Sequence, residues 1–424
     1  MAQFFDNQYF GSNRYKLAQP LDIDTDLVGG NGDKQSRIYP GNVMHPEDLS
    51  SVYKTLMHRM RNIAKTNYTL KEALDKRRPR IQFCGYVING NTNNPISLCR
   101  SKSDSLFFNG VANCGGFWRC PVCALKISEA KKELLSGLIQ QHQERGYSIG
   151  FLTLTIRHSF RIMLKASLDK LLRNYRSFMD NKPNRAFKKS LSFIGQVKTL
   201  EITYGSNGWH PHLHLLFFYK SDSLPAIRQF QRKFISSWAK YKDNNGKVSA
   251  QNQQVLTRDI SDYVAKYDIT SEMTKGSIKG SKGLTPFTAL AKLALNNYET
   301  IEERNKLYGI YAHYVEATQG KHFVNISREL RKEYAEFLEN HDKTDDEIVN
   351  NVEIDEILLK ISVEVWRKIA KNDLQPLILN KFKHGGLDAV YSLLTYFRDF
   401  KTLEVEIDKN DYPLLTFSDY ERTV

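Results

Sequence analysis

A chain of 424 residues has room for two or three domains and a well-buried core, and 41% hydrophobic with 25% charged residues is the composition of a soluble globular protein. A net charge of +14 and a pI near 9.3 call for a polyanionic partner, nucleic acid first among them. No apolar run approaches the length of a membrane span, which argues against a membrane partner. The N-terminal Met1–Gln8 lacks the basic start and apolar core of a signal peptide, so the cytoplasm is the expected compartment.

Residues 1–75 read as an N-terminal arm. It is polar and aperiodic to about residue 45, then helical from Pro46 to Leu74, with Leu49, Val52, Leu56, Met60 and Ile63 at helical spacing. A basic run, Lys76-Arg77-Arg78-Pro79-Arg80, follows. Residues 76–130 form a cysteine-rich segment. The five cysteines are an odd number concentrated between Cys84 and Cys123, which fits metal binding better than a disulfide framework. Cys120 and Cys123 have the spacing of a zinc knuckle, and Cys114 adds a third thiolate. Cys99 is taken as the fourth, with Cys84 in reserve because Ile81–Val87 reads as a strand that would simply bury it. Four sulfurs leave no open position, so the zinc would be structural.

Residues 131–300 hold the chemistry. An amphipathic helix with Leu134, Leu135, Leu138 and Ile139 leads to a strand at Ile149–Arg157, then to a helix marked by Leu164, Leu168, Leu171, Tyr175 and Phe178. Two further strands, Ile194–Thr203 and Pro211–Tyr219, flank turn-forming residues. This strand-helix-strand-strand order predicts an α+β fold: a mainly antiparallel sheet with helices on one face. The two-residue period puts His212 and His214 on the same face of the last strand, where they are candidate ligands for a divalent metal. If the turn centres on Ser206-Asn207, paired residue numbers sum to 413, and Glu201 stands opposite His212 as a third ligand or an orienting group. An odd loop would send Glu201 to the other face.

Beyond this hairpin, Asp259 or Ser261 can cap a short helix on which Tyr263, Lys266 and Tyr267 share a face, so that both phenols reach one phosphate. Lys275, Lys279 and Lys282, separated by glycines, read as a basic loop for a nucleic-acid backbone. The run Gly276–Gly283 has the wrong spacing for a P-loop, so ATP-driven unwinding has to come from another protein. Residues 301–424 read as a helical C-terminal region. Tyr308, Tyr311 and Tyr314 are placed in its core, the acidic stretch Asp342–Glu356 is a linker, and helices lie near 363–370 and 387–397.

Phe151-Leu-Thr-Leu-Thr155, Trp209-His-Pro-His212-Leu-His214 and Tyr263-Val-Ala-Lys-Tyr267 occur in an order that resembles the HUH endonucleases, and in particular rolling-circle replication initiators. Cys120-Pro-Val-Cys123 upstream matches the plasmid branch. The resemblance spans roughly residues 80 to 335 and implies a ferredoxin-like or RRM-like sheet with Mg²⁺ or Mn²⁺ on His212 and His214. It also implies a single-stranded or hairpin origin as substrate, Tyr267 as nucleophile, a 5′-phosphotyrosine, and a 3′-hydroxyl that primes a host polymerase beside a host helicase. Tyr263 stands where many plasmid initiators carry a glutamate, which looks like the two-tyrosine arrangement, with Lys266 between the phenols to neutralise phosphate charge. A two-tyrosine transposase and a zinc-dependent DNA-binding regulator without activity are the alternatives.

Overall fold

The computed structural model describes residues 46–67, 78–86, 95–102, 104–220, 223–248, 252–256 and 284–417. Along the chain these form α1 (Pro46–Lys65), a 3-10 turn (Arg80–Phe83), β1 (Ile96–Ser101), β2 (Leu106–Asn109), α2 (Pro121–Glu144), β3 (Ser148–Thr155), α3 (Leu164–Met179), α4 (Lys182–Ser190), β4 (Phe193–Gly205) and β5 (Gly208–Tyr219). There follow α5 (Leu224–Ala239), β6 (Asn252–Leu256), α6 (Pro286–Ala294), α7 (Ile301–Thr318), β7 (Val324–Ile326), α8 (Arg328–Glu333), α9 (Ala335–His341) and α10 (Asp345–Asn350). The last elements are β8 (Ile354–Ile361), α11 (Val363–Lys371), α12 (Gln375–Thr395), β9 (Leu403–Ile407) and β10 (Pro413–Phe417). No described helix is long and apolar enough to cross a membrane.

The strands make two sheets, and the α+β reading holds. One runs β6-β3-β5-β4-β7 and is antiparallel throughout. Its central strand, β5, is apolar on both sides from Leu215 to Tyr219, so both faces have to be covered, not the one expected. Leu200, Ile202, Leu213, Leu215 and Phe217 pack under α3 and α5, where Phe178, Phe234 and Trp238 meet edge to face. On the opposite face Phe151, Leu216 and Phe218 pack against Leu134, Leu135 and Leu138 of α2 and Leu330 of α8. Fully burying side chains such as Phe217 and Phe218 is worth about 1.5–3 kcal/mol each. Towards the histidines, which are themselves largely buried, the Glu201 side chain keeps 25% of its surface exposed.

The other sheet runs β2-β1-β8-β10-β9, with β8 and β10 parallel and the remaining pairs antiparallel. Residues 354–417 of the C-terminal region therefore contain the expected helices, α11 and α12, and the strands β8, β9 and β10 besides. They recruit β1 from far upstream and enclose Trp366, Ile369, Ile378, Leu394 and Phe400 in a second core. The acidic stretch is structured too. Asp342 pairs with Lys131 and Arg331 at 2.7 Å each, Thr344 and Glu347 form a capping box on α10, and Asp346 grips Arg80 bidentately at 2.7 and 3.1 Å. Tyr311 and Tyr314 of α7 are buried, as core residues should be.

Helix α2 ties the first sheet to the cysteine segment, and His142 anchors its far end. His142 is fully buried, its Nε2–H donates to the Ser148 carbonyl at 3.1 Å, and its Nδ1 accepts from the Tyr334 hydroxyl at 2.5 Å. Burial pulls its pKa down to about 4. The folded state therefore binds fewer protons than the unfolded chain between about pH 6.5 and 4, and stability present above 6.5 is lost as pH falls through that window. His142→Gln should flatten the acid limb of a denaturation-midpoint-versus-pH curve by roughly 1–2 kcal/mol across that window. An unchanged slope would mean that another group governs it.

Candidate metal centres

The turn between β4 and β5 decides the first centre. Gly205 pairs with Gly208 across Ser206-Asn207, so the register sum is 413, with Glu201 opposite His212 and Thr199 opposite His214. Gly208, just past the turn, takes φ +85, a left-handed conformation that glycine adopts without strain. The Glu201 carboxylate Oε2 lies 2.7 Å from His212 Nε2 and 2.5 Å from His214 Nε2.

The tautomers say what belongs between these atoms. The His210 carbonyl can only accept, so His212 donates to it through Nδ1–H at 3.0 Å, and a neutral His212 presents an Nε2 lone pair to Glu201. His214 Nδ1 sits 3.0 Å from the Thr153 hydroxyl, which can hold its ring in the same sense. Lone pairs facing a carboxylate at such distances need a cation, either protons or a metal ion. Burial opposes charge on Glu201, but the two imidazoles outweigh it and hold the carboxyl well below its usual range. Burial likewise opposes a charged His212, and Glu201 outweighs it, raising the imidazole. The buried Thr199 hydroxyl, across from His214, has no hydrogen-bond partner among the described residues. The Glu201 side chain keeps 25% of its surface exposed, so a ligand can approach from that side. Two imidazole nitrogens and one carboxylate on an accessible face fit a divalent ion with open positions.

The second centre is closed. Cys84, Cys114, Cys120 and Cys123 are buried and free of disulfides, and their sulfurs all lie within 4.8 Å of one another. The Cys84–Cys120, Cys84–Cys123 and Cys114–Cys123 separations are 3.8, 3.7 and 3.7 Å. A tetrahedron with Zn–S bonds of about 2.3 Å has edges of about 3.8 Å, so these spacings are those of a tetrathiolate zinc site. Cys99 is not among them. It lies in β1, fully buried in the other sheet, with its thiol toward the Ser97 carbonyl at 3.7 Å and pushed up to about 11 by burial. The assignment of Cys99 as fourth ligand is therefore corrected to Cys84. The reason is backbone geometry: Ile81 belongs to a 3-10 turn, not a strand, and Gly85 at φ +82 bends the chain so that Cys84 faces the other three. A Cβ at Gly85 would stand 2.5 Å from the buried guanidinium of Arg61, a cation suited to offset the excess negative charge of four thiolates.

Tyr263, Lys266, Tyr267, Lys275, Lys279 and Lys282 lie outside the described residues. The chain leaves β6 at Leu256 and returns at Leu284, which bridges to Tyr204 near the end of the histidine hairpin. Sequence reasoning also passed over His210, Thr153 and Thr155, which support the ligands. His210 was visible as the first histidine of the alternating triplet His210-Pro-His-Leu-His214, while the threonines alternate along β3.

Residues 111–374 match the replication-protein family. The chain belongs to that family. The matched stretch contains Glu201, both histidines and three of the clustered cysteines, while Cys84 lies upstream of it. A relative from Streptomyces lividans, described as Protein rep, is 26% identical over 136 residues. That match covers 25% of this chain and 29% of the relative, less than a third of its length. No solved structure matches.

Cys84→Ser should abolish zinc retention and lower Tm by roughly 5–10 °C, the effect of losing a few kcal/mol. Cys99→Ser should leave zinc content, measured by atomic absorption on purified protein, at the wild-type value. The reverse result would restore Cys99 as the ligand.

Proposed function

We propose that this replication-family protein initiates rolling-circle replication by nicking one DNA strand at an origin with a tyrosine nucleophile. The observation that carries the reading is the convergence of Glu201, His212 and His214 on one sheet face, with both Nε2 atoms directed at one carboxylate oxygen. A Mg²⁺ or Mn²⁺ ion held there would act as a Lewis acid on the scissile phosphate. Thr153 and the His210 carbonyl keep the imidazoles turned toward that position, so nothing need reorganise when substrate arrives.

Tyr267 supplies the nucleophile. Its phenolic oxygen bonds to phosphorus as the bond from phosphorus to the 3′ oxygen breaks. The phenol proton is lost to solvent and the departing oxygen is protonated as a 3′-hydroxyl. The 5′-phosphotyrosine is a phosphodiester like the bond it replaces, which allows rejoining without ATP. Tyr263 provides a second phenol for a second cut while Tyr267 still holds the first strand, and the 3′-hydroxyl freed by that cut rejoins by displacing Tyr267 from its phosphate; Lys266 offsets phosphate charge between the two, and Lys275, Lys279 and Lys282 hold the backbone. The tether allows this geometry. From Leu256 to Tyr267 the chain reaches roughly 35 Å when extended, whereas the distance along β3 from Ile149, the partner of Leu256, to Thr153 beside His214 is only about 13 Å.

A net charge of +14 suits a single-stranded or hairpin origin. A host helicase would supply the unwinding for which the chain has no P-loop, and a host polymerase would extend the 3′ end. Membership in the replication-protein family favours this role over transposition.

A labelled single-stranded origin oligonucleotide should yield an SDS-stable protein–DNA adduct that requires Mg²⁺ or Mn²⁺. Tyr267→Phe should lose it entirely, and His214→Ala should lower its rate at least about 100-fold with DNA affinity and Tm near wild type. Full adduct formation by His214→Ala would remove the metal from the reading. An adduct retained in Tyr267→Phe and lost in Tyr263→Phe would exchange the two tyrosines.

A further inference from the structure

The segment from Arg157 to Met163, between β3 and α3, exposes what a folded surface usually hides. Phe160 is 71% exposed, Met163 65% and Ile162 39%, with Arg157 and Arg161 exposed beside them. The Arg161 guanidinium stands 5.5 Å from the centre of the Phe160 ring. The loop is nevertheless firmly placed. Its root is held by the Arg157 amide donating to the Asn244 carbonyl at 2.9 Å, and its bend by the Ile162 amide donating to the Ser159 carbonyl at 3.0 Å.

Its backbone lies against the histidine hairpin. A Cβ on Gly208 would stand 2.6 Å from Phe160 Cα and 3.0 Å from the Ser159 carbonyl, so only glycine lets the loop sit there. The ring of His158 stacks on that of His210 at 4.3 Å and 18°, and His210 in turn lies 4.9 Å from His212. The Thr155 hydroxyl binds His210 Nε2 at 2.6 Å. A short ladder of rings thus leads from the ligand His212 to the exposed loop.

We infer that this loop is a stacking platform for an unpaired nucleobase next to the scissile phosphate, with Phe160 as the face on which the base rests and Arg157 and Arg161 as backbone contacts. An exposed aromatic ring flanked by arginines, seated next to a metal-ligand set in a basic protein, matches how single strands are held without base pairing. Paired bases offer no free face, so the platform selects single-stranded or extruded DNA. Phe160 is a positioning residue: it sets where the strand lies, and the chemistry belongs to other groups. The inference rests on the proposed nicking reaction for its substrate but can be tested apart from it.

The test measures binding of a fluorescein-labelled single-stranded oligonucleotide, and of the same sequence as duplex, in EDTA so that no cleavage contributes. Phe160→Ala should weaken single-strand binding roughly 5- to 100-fold, with duplex binding changed less than twofold, while Phe160→Trp keeps wild-type affinity. A 2-aminopurine base in the bound strand should be quenched by the wild type and by Phe160→Trp, and not by Phe160→Ala. Arg161→Gln should reduce the salt dependence of binding by close to one phosphate contact. In Mn²⁺, Phe160→Ala should raise KM for adduct formation with kcat near wild type. Wild-type single-strand affinity in Phe160→Ala, or an equal loss on duplex, overturns the platform. If Phe160→Ala loses single-strand affinity while no protein forms an adduct, the platform stands and the nicking reading falls.

Discussion

The count of residues in one turn governs the site. Because side chains alternate along a strand, a two-residue loop at Ser206-Asn207 brings Glu201 to the face of His212 and His214, and a three-residue loop would turn it away. Gly208 serves this turn twice, through its left-handed backbone and through the space it leaves for Phe160. The donor set, the ring ladder and the loop against the hairpin all inherit that parity.

A second constraint is the divided cover of β5. Its apolar half, through Phe217 and Tyr219 on one face and Leu216 and Phe218 on the other, is sealed by helices on both sides. At its histidine half the opening lies at Glu201 on the neighbouring strand. The rigid, close-packed end holds the ligand end in register without occupying the space a substrate needs.

Helix α2 joins the two centres mechanically. Cys120 and Cys123 lie at its start, and His142, locked between Ser148 and Tyr334, lies in its last turn. The four sulfurs gather a 3-10 turn, an irregular loop and a helix start, segments with few backbone hydrogen bonds between them, so a bound zinc would replace a missing ladder. The Trp366 indole donates to the Gly85 carbonyl at 3.1 Å and links the same junction to the C-terminal core. Asp355, Glu356, Glu404 and Glu406 lie on that C-terminal sheet with Glu353 just before it, and Glu353 and Glu356 pair with Lys102 and Arg100.

What the sequence alone determined is local. Alternation placed His212 and His214 on one face, turn chemistry set the hairpin, and Cys-x-x-Cys paired Cys120 with Cys123, because strand period, turn geometry and two-residue spacing act over a few bonds. Tertiary structure decided between Cys84 and Cys99, since that choice depends on where β1 finds its partner. The partner, β8, begins at Ile354, and no local pattern near Cys99 announces a pairing with so distant a strand. The same holds for the strands hidden among the C-terminal helices, for the acidic stretch that became a capped helix gripping Arg80, and for the loop at Phe160. Its exposure beside the ligands exists only once β3 and the hairpin are adjacent in space.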